Sequence, residues 1–411
     1  MSDGNQRGRE VLLQPRIGRL SDTASAHLDF FRGTASLAVL IAHWRMLFFQ
    51  DGSRVAHLNI SQYFFYWITK LGHQAVVVFF VLSGFLVGRT VLGHMQSGKW
   101  SARRYWLRRL TRLEVVLLPS LALCWALDWL GSHIFPSSSV YLNTAGLVVM
   151  PYDITQMHGM KILFGNIMFL QTISVHQFGS NEPLWSLSNE FWYYVLFPLM
   201  VLIIAVGARG YNRLLALVGF TAVFIFLWVH PGRAILAGYL VWLAGAAISV
   251  LPPPRHIQRC RARIFSIGFL LLLLLLGMYL PTPMAAWLRN DLFLGVLFAA
   301  LLYYCLHSQS EVSPRYRSVT KYTAQMSYTL YLGHMPLLVL FAACIGHRWQ
   351  PDIKHIAVAI PLLLIAFLYA RCVYFLFEKR TDVVRKWLEA RMGLVSPLAQ
   401  DSFQPRSEFL A

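Results

Sequence analysis

Charge is scarce in this chain and acidic charge scarcer still: Asp, Glu, Lys and Arg together make up 13% of 411 residues, with 36 Lys and Arg against 18 Asp and Glu. A soluble globule carries about 25% charged residues. A chain this poor in charge and 57% hydrophobic is excluded from that class and reads as an integral membrane protein. Cysteine is equally sparse. Cys124, Cys260, Cys305, Cys344 and Cys372 are odd in number, far apart and mostly inside apolar runs, which excludes a readable disulfide framework or metal site and leaves them as small packing residues. No small-residue cleavage pattern follows the first apolar run, so no removed signal peptide is read and that run stays as a helix. No internal repeat is visible either, although a transporter built of inverted halves would carry one.

The net charge of +18 is concentrated in short segments between apolar runs. That is the positive-inside signature of a polytopic bundle rather than the footprint of a nucleic-acid binder. The same excess attracts anionic membrane lipids or a phosphorylated ligand on the cytoplasmic side. The expected fold is an all-α polytopic membrane protein: one bundle of about ten transmembrane helices, with re-entrant segments, spanning 28–391 between polar cytoplasmic tails at 1–27 and 392–411.

Ten crossings are expected at about 33–49, 75–92, 113–130, 191–207, 214–229, 234–251, 264–280, 292–307, from Met326 onward, and at 356–377. Basic connections alternate with neutral ones along this series, which puts both termini in the cytoplasm. Between Arg112 and Lys161 there is no Lys or Arg, marking an extracytoplasmic stretch. Parity then gives residues 131–189 either no net crossing or a pair of crossings.

Within the first run, LDFFRGTASLAVLIAHW, Arg32 and His43 are eleven residues apart. At helical rise that is about 16 Å with about 20° of net rotation, so both project from one face. A snorkelling arginine and a histidine satisfied by a neighbouring helix would explain them, as would a site, because an ionisable group at mid-membrane needs a partner or a purpose. Lys99 to Arg112, KWSARRYWLRRLTR, interleaves six basic residues with five aromatics or leucines as an amphipathic cytoplasmic segment. It serves topology and lipid headgroups, or clamps phosphates with arginine forks. Ser83 and Gly84 in VVVFFVLSGFLVGR are small enough for close helix approach. Glu190, in PLWSLSNEFWYY, stands at the outer mouth of its helix, either as a helix-start acid with Ser186 or Ser188 as cap, or as a hydroxyl-recognition group. Tyr328, Tyr331 and His334 fall in the first three turns of TAQMSYTLYLGHMPLLVL, with His334 about 12 Å beyond Met326 and near the depth of His43.

Taken in order, LDFFRG with its arginine-to-histidine spacing, FFVLSGFLVGR, RRLTR, PLWSLSNEFWYYVLFPL, SYTLYLGHMP and FEKR resemble the membrane acyltransferase-3 family of O-acyltransferases, from Leu28 to about Arg380. The resemblance implies transfer of an acyl group, usually acetyl from coenzyme A, to a hydroxyl of a carbohydrate or other acceptor. His43 matches the family's essential histidine, Arg32 its paired arginine, and Arg109 with Arg112 the RxxR proposed to engage the donor. Ser83 and Arg108 are the further expected donor contacts. Glu190 and His334 match recurrent positions with less defined roles. Asn189 and Phe191 depart from the family's WSLSVEEQFY-like pattern, so a second acid is missing. No fused hydrolase-like domain, such as some relatives carry, is expected after the membrane domain, so acceptor choice is expected to come from the bundle and its outer loops.

Thioester acyl transfer needs a base for the acceptor hydroxyl and a group that stabilises the developing oxyanion. His43 is expected to be that base or a transient acyl carrier. Coenzyme A would lie along one helix face, with phosphates at Arg32, Arg109 and Arg112 and the thioester near His43. His334 would orient His43, contact the thioester carbonyl, or pack. The expected acceptor is a surface glycan, such as exopolysaccharide, O-antigen or a lipid-linked oligosaccharide, modified at a bacterial inner membrane. A small-molecule acceptor is the alternative, and a transporter of acyl or glycan substrates the alternative from another class.

Overall fold

The computed structural model describes residues 20–394 except 53–54, 56, 145–146, 148–149, 206–209, 254–267, 269–290 and 308–310. The expected helix at 264–280 and most of both tails lie outside the described residues. Described helices are α1 (Asp22–Phe48), α2 (Ile60–Thr69), α3 (Gly72–Gln96), α4 (Ala102–Ile134), α5 (Met160–Ile167), α6 (Leu184–Ile204), α7 (Gly210–Val229), α8 (Arg233–Ile248), α9 (Asp291–Leu306), α10 (Pro314–Gln325), α11 (Ser327–Ile345), α12 (Ile353–Leu376) and α13 (Thr381–Arg391). Among the described residues there is no strand, only isolated bridges such as Phe49 with Trp349.

Six helical stretches, not ten, are long and apolar enough to cross a membrane among the described residues: Ile60–Gln96, Ala102–Ile134, Leu184–Ile204, Gly210–Val229, Ser327–Ile345 and Ile353–Arg391. The shortfall has physical causes. In α1, Arg32 and Arg45 bracket the apolar run, leaving 33–44 between them, about 18 Å at helical rise. Helices α8 and α9 are described over 16 residues each, fewer than the ~20 that a full span takes.

Caps define several boundaries. Ser21 accepts the Ala24 amide at 3.1 Å and starts α1 eleven residues before the apolar run expected from sequence. Ser101 accepts the Arg104 amide, so the basic segment and the third apolar run form one 33-residue helix, α4, rather than an interfacial piece followed by a span. Asp352 caps α12, and the amide and ring of His355 hold its carboxyl below the usual carboxylate range. Between α4 and α6, the described residues hold only α5, 8 residues long, and one 3-10 turn, and neither is long enough to span.

Helix α3 is central, packed against α1, α6, α8 and α9. Its approach to α8 requires glycine: a β-carbon on Gly84 would collide with the Trp242 carbonyl, and one on Gly245 with the Val81 carbonyl. One apolar core follows α1, α3, α4, α6, α8 and α9, and a second joins the Phe48 end of α1 to α11, α12 and the 140–154 loop. Helix α1 packs against α3 on one side and against α10 and α11 on another. This arrangement sets the α1 face carrying Arg32 and His43 opposite the Ser327–His334 stretch.

Candidate active site

His43, on α1, and His334, on α11, are both buried. Their rings stack at 13° with centroids 5.0 Å apart, and His43 Nδ1 lies 2.7 Å from His334 Nε2. His334 Nδ1 lies 2.7 Å from the Leu330 carbonyl, one turn back on its own helix. A carbonyl only accepts, so His334 Nδ1 carries a proton and donates it there. In the neutral ring Nε2 is then the acceptor, and His43 Nδ1–H donates to it. The partners thus fix both tautomers and leave the His43 Nε2 lone pair facing the cavity.

The nearest acid to that lone pair is Glu182, with Oε2 at 3.7 Å from His43 Nε2. Glu182 precedes α6, on a loop drawn into the bundle by its neighbours. Asn181 donates to the Leu332 carbonyl at 2.8 Å. Ser180 binds the buried Asp128 twice, backbone amide to Oδ2 at 2.8 Å and hydroxyl to Oδ1 at 2.6 Å. His158 Nε2 and Cys124 Sγ add contacts to the same carboxylate at 3.0 and 3.3 Å. A buried carboxylate is tolerated only when so satisfied, and here its partners fix the loop that carries Glu182.

At the Asp22 end of α1 a separate cavity of about 330 Å³ collects Arg32, Arg109 and Arg112 with Ser83, Glu190, Tyr194, Ser327 and Tyr328. Arg32 Nη2 donates to the Ser327 hydroxyl at 3.3 Å. The Arg109 guanidinium lies 5.6 Å from the Tyr105 ring centroid and 5.4 Å from that of Tyr194, and Arg112 lies 5.7 Å from that of Tyr328. Ser83 accepts the Trp242 indole N–H at 3.2 Å and donates to Glu190 Oε1 at 2.8 Å. The Tyr194 hydroxyl donates to the same carboxylate oxygen. Three guanidinium groups around a cavity form a ready site for phosphate oxygens.

Sequence reasoning put some residues in the wrong surroundings. Glu190 is not at the outer mouth of its helix but the seventh residue of α6, beside the arginines. Neither serine caps α6: Ser186 bonds the Pro183 carbonyl and the Tyr331 hydroxyl, and Ser188 the Phe169 carbonyl. Arg108 is not brought to the cavity with Arg109. A turn of about 100° per residue directs it instead to Glu389 of α13, 3.2 Å from Nε. Arg32 and His43 share a helix face yet do not open into one cavity. His43 lines a second space of about 420 Å³ with Arg45, Lys70, His73, Glu182 and Trp185, and this space shares Val76 and Tyr331 with the first. Glu182 was missed. The signal available was an acid in NEPLW, an apolar setting without a basic neighbour.

A family model described as an acyltransferase domain matches residues 25–377. The acyltransferase MdmB of Streptomyces mycarofaciens is 31% identical over 200 residues, covering 46% of this chain and 40% of that protein. The chain thus matches less than half the length of that relative. No solved structure matches.

Proposed function

The chain belongs to the acyltransferase-3 family, and from that premise we propose that it moves an acyl group, in the first instance acetyl, from coenzyme A to a hydroxyl of a carbohydrate or glycolipid acceptor. Non-aminoacyl acyl transfer comes with the family; the donor, the acceptor and the residue roles are this reading. The observation that carries it is the fixed tautomer of His43, whose Nε2 lone pair is held toward a cavity by the His334 to Leu330 relay.

In this mechanism the donor enters from the Asp22 end. Its phosphates bind Arg32, Arg109 and Arg112, and its thioester points toward Val76 and Tyr331. The acceptor occupies the space beside Glu182. His43 Nε2 takes the acceptor hydroxyl proton while the oxygen attacks the thioester carbonyl carbon. The carbon–sulfur bond breaks, the ester carbon–oxygen bond forms, and coenzyme A leaves as thiolate. The imidazolium is stabilised by Glu182 on one side and keeps its bond to His334 on the other, and it then returns the proton to the thiolate. His334 acts by orienting His43. Arginine at the cytoplasmic end of the apolar run of α1 and histidine at its other end let a cytoplasmic donor meet an acceptor arriving from the opposite side of a bacterial inner membrane.

The test is thiol release from acetyl-CoA by the purified protein in liposomes, with and without candidate glycan acceptors. Acceptor-dependent thiol release matched by ester formation supports the reading. Turnover that ignores every hydroxyl acceptor contradicts it.

A further inference from the structure

The two cavities approach each other from opposite ends of the bundle and meet at the two side chains they share, Val76 of α3 and Tyr331 of α11. Tyr331 is held in place from both sides. Its ring packs edge-on against Phe79 at 5.6 Å, and its hydroxyl lies 2.6 Å from Ser186 Oγ. Ser186 in turn lies 3.2 Å from the Pro183 carbonyl, an acceptor only. The Ser186 hydroxyl therefore donates to Pro183, and the Tyr331 hydroxyl donates to Ser186. This chain latches the ring across the passage between the cavities, next to the loop that bears Glu182.

We propose that Tyr331 is a specificity-determining partition, which keeps water of the His43 cavity from the thioester and yields only when an acceptor hydroxyl occupies that cavity. The proposal rests on reading the arginine-lined space as the donor cavity and the His43 space as the acceptor cavity. The chemistry makes such a barrier necessary. Hydrolysis breaks the same carbon–sulfur bond and forms a carbon–oxygen bond to water, giving free carboxylic acid and thiol where transfer gives ester and thiol. A base that activates an alcohol also activates water, so transfer is selected by exclusion of water. A bundle with aqueous cavities at both ends also needs a closed section between them. Phe79 and Val76 supply the apolar part of it and Tyr331 the part that a hydrogen bond can release.

The test uses the full-length protein in sealed liposomes, with native cysteines replaced and one reporter, Ser83→Cys, in the donor cavity. An impermeant maleimide is added on the Asp22 side or on the Phe48 side. With Tyr331 intact, the reporter is labelled from the Asp22 side alone. Tyr331→Ala opens labelling from the Phe48 side, while Tyr331→Phe, which keeps the ring, stays sealed. In the protein with Ser83 restored, Tyr331→Ala raises acetyl-CoA hydrolysis relative to transfer several-fold, and Tyr331→Phe does so less. Labelling from the Asp22 side at the parental rate reports that the variant is folded. If Tyr331→Ala is not folded, Val76→Ala at the other half of the partition answers the same question. Unchanged sidedness in the folded variant, or an unchanged ratio of hydrolysis to transfer, overturns the proposal. Labelling needs no acyl donor, so the two readings fail separately. Altered sidedness in a protein without acyl-CoA turnover supports the barrier and removes the proposed function.

Discussion

His43 Nδ1 lies 2.7 Å from Nε2 of His334, and the other nitrogen of His334 is committed to the Leu330 carbonyl. The relay makes His334 an acceptor for His43, so its loss leaves a buried donor on His43 without a partner. Such a loss costs ~1–3 kcal/mol, which sets the expected fall in kcat for His334→Ala at about 5- to 150-fold. His334→Gln, whose amide oxygen can accept, should lose less. Steady-state kinetics on both variants, with KM for the donor unchanged, checks this.

Glu182 faces the opposite nitrogen of His43 at 3.7 Å. Burial pushes the Glu182 carboxyl up to about 8, and Glu182→Gln keeps the shape while removing the acid that can ionise beside the imidazolium. The expected result is a lower kcat, little change in KM for acyl-CoA and no loss of folded protein. Kinetics with a thermal melt in detergent separates these outcomes.

Arg112 lies in the arginine-lined cavity, whereas Arg108 pairs with Glu389 outside it. Hydrogen bonds to charged groups contribute ~1.5–3 kcal/mol, so Arg112→Gln should raise KM for acyl-CoA about 10- to 150-fold. Arg108→Gln should raise it far less. Donor titration of the two variants makes the comparison.

The Asp128 carboxylate is the anchor of the loop that ends at Glu182, through Ser180 and His158. Asp128→Asn loses charge-assisted acceptance, at a cost of about 1–3 kcal/mol in stability. It should also lower kcat by releasing Glu182. Melting temperature and kcat should fall together, and a further Glu182→Gln change should then add little to the kinetic loss.

Gly84 packs against the Trp242 carbonyl with no room for a side chain. Gly84→Ala should separate α3 from α8 at a cost of ~1–3 kcal/mol, the usual range for overpacking. A lowered melting temperature in detergent, reversed in no part by donor or acceptor, is the expected reading.

The parts of this site that obey helical periodicity were legible from the residues alone. Arg32 and His43 are on one face because eleven residues complete just over three turns, and Gly84 is small where two helices touch. The same periodicity separates Arg108 from Arg109, although a run of adjacent arginines hides it. Glu182 was not legible, because its place depends on contacts far away in sequence, Ser180 with Asp128 and Asn181 with Leu332. Glu190 was misplaced because α6 starts at Leu184, before the continuously apolar run that sequence reading takes as its start. Of the ten crossings counted from sequence, six stretches among the described residues are long and apolar enough to span, and those expected at 234–251 and 292–307 are described as helices over 16 residues each. Nor does periodicity along one helix reveal Tyr331 between Arg32 and His43, since that side chain comes from a different helix.

The central claim is that His43 drives acyl transfer to a glycan hydroxyl. Its most direct test is proton NMR of surface glycans from cells carrying the wild-type protein, His43→Ala at equal abundance by immunoblot, or no copy. The account predicts an ester signal with the wild type that is absent from both other samples, whose chemical shifts name the acyl group and the hydroxyl. Full acylation with His43→Ala would contradict the assignment of His43, and glycans whose esters ignore the protein altogether would contradict the proposed acceptor.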